Sequence, residues 1–136
     1  MLYLTYIFSS FVIALSPGQE PPEKKIVYEV FRLRNEQKAD SVEQYFADTV
    51  KVYMKTLRNV RKQTITKLDR IFFKAHPKNK FEITKPVEIV IKDGITTAII
   101  IGKEFLDGTT FKYERIEIRF NRNRKIDYFR AANIRG

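Results

Sequence analysis

Two Asp-Gly dipeptides divide the C-terminal half of the chain into regularly spaced β-rich runs. Asp93-Gly94 and Asp107-Gly108 each lie between segments rich in β-branched and aromatic residues. Asp-Gly in that setting is a strong signal for a β-hairpin. A third turn, Asn121–Asn123, leads into a last strand that ends near Ile134. We therefore predict a four-strand antiparallel meander that follows a helical N-terminal half.

Proline and strand alternation add detail to this meander. The first strand, Lys80–Lys92, contains Pro86. Proline cannot donate a hydrogen bond to a ladder, so we expect this strand at a sheet edge or bent at the proline. In the strand Thr110–Phe120, alternation predicts one face, directed at the helices, and an opposite, amphipathic face. The first face carries Glu114, Ile116, Ile118 and Phe120, and the second carries Phe111, Tyr113, Arg115, Glu117 and Arg119.

The N-terminal half reads as two helices and a short strand. Apolar residues at helical spacing predict a first helix over Glu23–Lys38. Asp40 and Glu43 have the spacing of a capping box and predict a second helix over Ser41–Ala47. Alternation then predicts a short strand over Thr49–Met54.

A third, longer helix is expected before the meander. Thr56 or Asn59 would cap its start, and Pro77 would end it. Its apolar positions lie on one face, which we expect to be buried against the sheet: Ile65, Leu68 and Phe72.

Length and residue content bound the chemistry. A chain of 136 residues, 43% of them hydrophobic, suits one globular domain with a core. The absence of cysteine excludes disulfides and thiolate nucleophiles, and a single histidine, His76, gives little basis for a metal site or a catalytic triad. No phosphate-binding loop or metal-binding motif is present. We therefore expect no cofactor and no metal.

The first 18 residues carry no charge and contain a short apolar run. This pattern predicts a signal peptide, with an uncleaved membrane anchor or a buried segment as alternatives. Residues 19–25 then read as a linker and residues 26–136 as the folded domain. We expect an exported protein, periplasmic or extracellular, that contacts a membrane only if the segment is uncleaved. If the segment is not a signal, the protein would be cytoplasmic.

The net charge of +10 is unevenly distributed. Residues 51–80 hold ten Lys or Arg against one acid, and residues 111–136 hold eight against three. Such runs are commonly solvated surface, but they also permit binding to anionic polymers or lipid. Nucleic acid is not expected, because no aromatic stacking platform is interleaved with the first run.

Three segments, in this order, resemble the nuclear transport factor 2-like superfamily: Tyr45–Val50, which passes from helix to strand; Phe72–Ile83, with its proline stop; and the closing hairpin from Gly108 to Ile126. The resemblance covers roughly residues 25–134. It implies an α+β, cone-shaped, cystatin-like fold in which N-terminal helices pack on a curved antiparallel sheet. It also implies a pocket between helices and sheet, and often a homodimer formed through the sheet. It does not carry an activity, because this fold hosts many unrelated functions.

Four residues are candidates for the site, each with a plain structural alternative. Glu114 would act as an acid or base if it faces a partly apolar cavity; otherwise it would lie near the strand end, in water or paired with a Lys or Arg. Tyr53 and Tyr128 would donate hydrogen bonds at a cavity wall, or would be core residues. Arg130 alternates with Tyr128 and Ile126, and would bind a carboxylate or phosphate if that face is concave.

Three functions follow. The favoured one is a non-catalytic domain that binds a small apolar or acidic ligand in the cone, or a protein partner. The first alternative is an enzyme of the isomerase, cyclase or dehydratase type with Glu114 as acid or base. The second is a basic-surface binder of anionic polymers or lipid.

Overall fold

Three helices and a seven-stranded sheet make up the computed structural model, which describes residues 20–135. The predicted leader, residues 1–18, lies outside these described residues. The helices are α1 (Pro22–Asn35), α2 (Ala39–Glu43) and α3 (Lys62–Ala75). The strands are β1 (Phe46–Met54), β2 (Thr56–Arg61), β3 (Lys80–Ile83), β4 (Glu88–Lys92), β5 (Ile95–Phe105), β6 (Phe111–Phe120) and β7 (Ile126–Ile134). None of the described helices has the length and apolar character needed to cross a bilayer.

The strands form one sheet in the order β2-β1-β7-β6-β5-β3, with β4 also paired to β5. β1 and β7 are parallel, and the other neighbouring strands are antiparallel. The helices cover one face of this curved sheet. The predicted α+β class is confirmed, with the parallel β1–β7 pair as the one departure from an antiparallel sheet.

The turns predicted from the C-terminal half are confirmed. Asp93 and Gly94 both have positive φ angles, 53° and 75°, as a two-residue hairpin between β4 and β5 requires. The side-chain oxygen of Asn121 accepts hydrogen bonds from the backbone N–H groups of Asn123 and Lys125, at 2.9 and 3.0 Å. Residues within the turns therefore determine how these neighbouring strands are connected.

Pro86 divides the predicted strand Lys80–Lys92 into two. β3 and β4 pair with different halves of β5. Thr84 still donates its backbone N–H to the Ile101 carbonyl of β5 at 3.0 Å, and the ladder is interrupted after it. The Tyr28 hydroxyl accepts a hydrogen bond from the Val87 N–H at 3.2 Å and holds this bend against α1. The edge position and the bend expected from the proline are both confirmed.

The N-terminal boundaries differ from the prediction. α1 begins at Pro22, so the predicted linker is shorter than residues 19–25, and the helix ends before Gln37, whose φ is +60°. α2 ends at Glu43 rather than Ala47. Asp40 does not cap it but forms an ion pair with Arg70 of α3.

β2 was not predicted. Residues 56–61 were assigned to the start of the third helix, but they pair with β1 through a turn at Lys55, whose φ is +66°. β2 is almost wholly exposed, so it lacks the apolar alternation that marks a half-buried strand. The third helix consequently begins at Lys62, and the residue at its N-cap position is Arg61 rather than Thr56 or Asn59.

The core lies between α1 and the inner face of the sheet. Val27, Val30 and Phe31 of α1 pack in one cluster with Ile100 and Ile118 of the central strands. Complete burial of an aliphatic side chain contributes about 2 kcal/mol. This cluster therefore anchors α1 and leaves α3 to cover the other end of the sheet.

Candidate functional site

A cavity of about 420 Å³ lies between α3 and the inner face of the sheet. We call it the cone cavity. Its volume falls in the range of small-molecule sites in proteins, about 300–1,000 Å³. Most of its wall is apolar: Phe46, Val52, Val60, Ile65, Leu68, Phe72 and Phe129.

Both helical and strand periodicity build this wall. Ile65, Leu68 and Phe72 recur at helical spacing along one face of α3. Val52 of β1 and Phe129 of β7 are partners in the parallel register and face the same side of the sheet. The face of α3 that was predicted to be buried therefore lines the cavity, and Leu68 remains 47% exposed.

One end of the cone cavity is polar. The guanidinium of Arg34 on α1 lies 2.6 Å from the carboxylate of Asp69 on α3. Glu104 of β5 lies beside them and accepts a hydrogen bond from the side-chain amide of Asn79 at 2.8 Å. We call Arg34, Asp69 and Glu104 the polar end.

A smaller recess of about 130 Å³ adjoins the polar end and shares Arg34, Glu104 and Phe129 with the cone cavity. Glu114 lines this recess, and its carboxylate lies 3.4 Å from the ammonium of Lys112. Burial raises the pKa of the Glu104 carboxyl; the hydrogen bond from Asn79 opposes this rise, and the charge of Glu114 adds to it. The site therefore joins an apolar chamber to a carboxyl group that retains its proton more readily than usual.

Comparisons with known proteins identify the fold. No protein-family model and no curated protein matches the sequence. A nuclear transport factor 2-like protein of unknown function from Cytophaga hutchinsonii is 8% identical, with a TM-score of 0.63 over 86% of this chain and 94% of that one. An uncharacterised protein with a cystatin-like fold from Caulobacter vibrioides is 14% identical, with a TM-score of 0.67 over 82% and 86%.

The chain has the nuclear transport factor 2-like fold.

A further structural neighbour, from Streptomyces avermitilis, is described as a proposed dehydratase of the nuclear transport factor 2-like family. It is 8% identical, with a TM-score of 0.66 over 82% of this chain and 92% of that one. Likeness at this level of identity establishes the fold alone, so the function has to be argued from the cone cavity itself.

In this nuclear transport factor 2-like cone, the predicted faces of β6 are confirmed. Ile116, Ile118 and Phe120 are buried on the inner face, and Glu114 lies at the open end of the same face. The glutamate therefore borders the small recess rather than the apolar chamber. Its pairing with Lys112 matches the structural alternative, and its role as an acid or base stays a prediction.

The other three candidates lie on the outer face of the sheet. β7 was expected to alternate regularly from Ile126 through Tyr128 to Arg130, but a bulge at Asp127 breaks this alternation: Phe120 pairs with Ile126 and Arg119 with Tyr128. Ile126 therefore belongs to the core, while Tyr128 and Arg130 turn outward. Their side chains do not line the cone cavity.

Cations cover both tyrosines on this outer face. The Arg119 guanidinium lies 4.1 Å from the Tyr128 ring centroid, and the Arg130 guanidinium lies 4.6 Å from that of Tyr53. These distances are those of cation–π contacts. The structure thus brings Tyr53 and Arg130 together but separates them, and Tyr128, from Glu114.

Sequence reasoning missed the residues of the polar end, although each occupies an apolar stripe. Arg34 continues the α1 stripe that contains Val27 and Val30, and Glu104 continues the inward row of β5 after Ile100. Asp69 is the sole acid in the basic run 51–80. A charged residue at a core position is the signal that would have found them.

Proposed function

We propose that this domain binds a small, mainly apolar molecule in the cone cavity, and that the ligand presents a cation or a hydrogen-bond donor to Glu104. The observation that carries the proposal is an apolar chamber of about 420 Å³ that ends at a partly buried carboxyl group. Apolar sites with a few placed polar groups are typical of ligand pockets.

The charges at the polar end favour a basic ligand over an acidic one. Arg34 is already paired with Asp69 at 2.6 Å, so its charge is largely compensated. Glu104 is bonded to a neutral amide, and Glu114 adds a second carboxylate nearby. An acidic ligand, as considered from the sequence, depended on Arg130, whose side chain lies on the outer face. A ligand ammonium would offset the burial of Glu104.

A matched series of naphthalene probes tests this proposal. We expect 1-naphthalenemethylamine to bind most tightly, 1-naphthalenemethanol less tightly and 1-naphthaleneacetate least tightly, as measured by fluorescence titration at pH 7. Glu104→Gln should remove the preference for the amine while the alcohol still binds, because the apolar chamber is unchanged. An unaltered order in Glu104→Gln would contradict the role given to Glu104.

Two tryptophan variants of α3 locate the probe. Leu68 lines the cavity, whereas Ile71, which is 59% exposed, does not. Leu68→Trp should fill the chamber and reduce binding of all three probes by about tenfold or more, a difference of 1.4 kcal/mol. Ile71→Trp should leave binding unchanged. Equal binding by both variants would place the probes elsewhere and refute the proposal.

A second candidate is acid–base catalysis in the same cavity. It is favoured by one observation: burial raises the pKa of Glu104, and general acids and bases are often tuned in this way. Glu104 would then take the role first considered for Glu114. The isomerase, cyclase or dehydratase reactions considered from the sequence involve proton transfer next to a carbonyl or hydroxyl group.

Proton exchange in a model ketone tests catalysis directly. Loss of the protons beside the carbonyl of 2-tetralone can be followed by NMR in deuterated buffer. A general base in the cavity should accelerate this exchange above buffer, and Glu104→Gln should abolish the acceleration. Exchange at the buffer rate would leave binding as the function of the site.

Pairing of two copies through the sheet stays a prediction. Sedimentation equilibrium across a range of protein concentrations measures it directly. A single monomeric mass at all concentrations would contradict it.

A further inference from the structure

A second concavity, of about 580 Å³, lies on the outer face of the sheet. We call it the outer cleft. It forms where the β1–β2 hairpin, the β4–β5 turn and the β6–β7 turn meet, on the side of the sheet opposite the cone cavity. Its lining is mainly polar and includes Thr49, Lys51, Asn59, Asp93, Arg119, Asn121, Arg122, Asp127 and Tyr128.

Four of these residues form a continuous row across four strands. Lys51 of β1 pairs with Asn59 of β2 on one side and with Tyr128 of β7 on the other. Tyr128 in turn pairs with Arg119 of β6. Side chains on one face of neighbouring strands lie about 5 Å apart. The row therefore places an amide, an ammonium and a guanidinium beside Tyr128, which is 7% exposed, and contains no acid.

Two members of the row, Tyr128 and Arg119, are held in place before any ligand arrives. The bulge at Asp127 turns Tyr128 outward, and the Arg119 guanidinium lies over its ring at 4.1 Å. Glu117 accepts a hydrogen bond from Arg119 at 3.2 Å and fixes the guanidinium further. A preorganised donor array loses less entropy when it binds a ligand.

We propose that the outer cleft binds a small hydroxylated anion, such as a sugar phosphate or a uronic acid. Lys51 in the row and Arg122, which lines the same cleft, would hold the phosphate or carboxylate group. The charge of Arg119 is partly compensated by Glu117, so Arg119 would add a weaker attraction. Asp93 and Asp127, which also line the cleft, would accept hydrogen bonds from ligand hydroxyl groups.

Calorimetric titration at low ionic strength tests this site. The probes are glucose 6-phosphate, inorganic phosphate and glucose. We expect glucose 6-phosphate to bind more tightly than either of the others, because it alone carries both a phosphate for the cations and hydroxyl groups for Asp93 and Asp127. Lys51→Gln should weaken its binding by about tenfold, the effect of losing one charge-assisted contact worth about 1.4 kcal/mol.

Lys67→Gln is the matched control, since Lys67 is an exposed lysine of α3 that does not line the cleft. It should change binding by less than twofold. Equal weakening by Lys51→Gln and Lys67→Gln would indicate attraction to overall charge and overturn the proposal. Glucose 6-phosphate that binds no better than glucose would overturn the proposal as well. So would a dimer that forms at the titration concentration, if Lys51→Gln then had no effect on glucose 6-phosphate binding.

Discussion

The Arg34 guanidinium and the Asp69 carboxylate lie 2.6 Å apart and join α1 to α3 at the polar end of the cone cavity. Both side chains are largely buried, and the guanidinium also lies 5.3 Å from the centre of the Phe73 ring. The pair therefore connects the helix that anchors the core to the helix that covers the cavity. A partner left without its counter-charge here would be poorly solvated.

Asp69→Asn should destabilise the protein by about 2 kcal/mol, which lies between the cost of breaking an exposed ion pair and that of breaking a fully buried one. The exposed pair of Asp40 on α2 and Arg70 on α3 provides a matched control, since it also joins α3 to another helix. Asp40→Asn should cost less than about 1 kcal/mol. Urea unfolding measures both variants, and equal losses would contradict the structural role given to Asp69.

Glu104→Gln should stabilise the protein at pH 7 but not at pH 4. The pKa of Glu104 is raised in the folded state from the ordinary value of 4.5, so the folded protein retains a proton that the unfolded chain has released. The contribution of Glu104 to the free energy of unfolding therefore falls as the pH rises from 4.5 through its raised pKa in the folded state. Glutamine removes this loss and can still accept the hydrogen bond from Asn79.

Melting temperatures of wild type and Glu104→Gln across pH 4–8 test this prediction. Glu88→Gln removes an exposed carboxylate of β4 and serves as the control. The melting temperature of Glu104→Gln should exceed that of wild type at pH 7 and not at pH 4. A difference that instead grows toward low pH would refute the prediction.

The Thr66 hydroxyl, 2.7 Å from the Glu43 carboxylate, links α3 to α2. Thr66 is 3% exposed, so its hydroxyl has little access to water. Thr66→Val should cost about 1 kcal/mol, because the carboxylate loses a donor, whereas Thr66→Ser should retain the bond. Thr64→Val, at an exposed position of α3, is the control. Urea unfolding that shows equal loss for valine and serine would contradict this assignment.

The sequence was enough to predict those features that depend only on residues close together in the chain. Asp93-Gly94 determines its hairpin through two positive φ angles, and Pro86 determines the break between β3 and β4 by its missing N–H. The faces of β6 follow from simple alternation. These features are local, so a single chain segment specifies them.

Features that depend on pairing with a strand distant in the chain could not be predicted from the sequence. β2 is exposed and basic, and it is a strand because it pairs with β1. The bulge at Asp127 arises from the register between β6 and β7, and it reverses the faces of Tyr128 and Arg130. Periodicity within one strand cannot reveal such a register shift.

The candidate site was predicted in outline but not in its residues. The resemblance implied a pocket between helices and sheet, and the cone cavity lies there. Its polar end joins Arg34 and Asp69, which are 35 positions apart, to Glu104 of β5. Each was visible as a charge on an apolar stripe, but their convergence depends on how α1 and α3 cross the sheet.

Gly102 tests how tightly β3 packs on β5. A Cβ atom at this position would lie 2.6 Å from the Phe81 ring and would also contact the backbone oxygen of Glu82. The backbone contact cannot be relieved by a side-chain rotation. Gly102→Ala should therefore destabilise the protein by about 3 kcal/mol, at the upper end of overpacking effects.

Gly94→Ala provides the comparison, because nothing lies within 4 Å of a Cβ there but φ is +75°. Its cost should be the conformational one alone, about 1 kcal/mol. Urea unfolding of the two variants separates steric from conformational strain. A smaller loss for Gly102→Ala than for Gly94→Ala would show that β3 can move away from β5, and that the Phe81 contact does not hold the edge of the sheet.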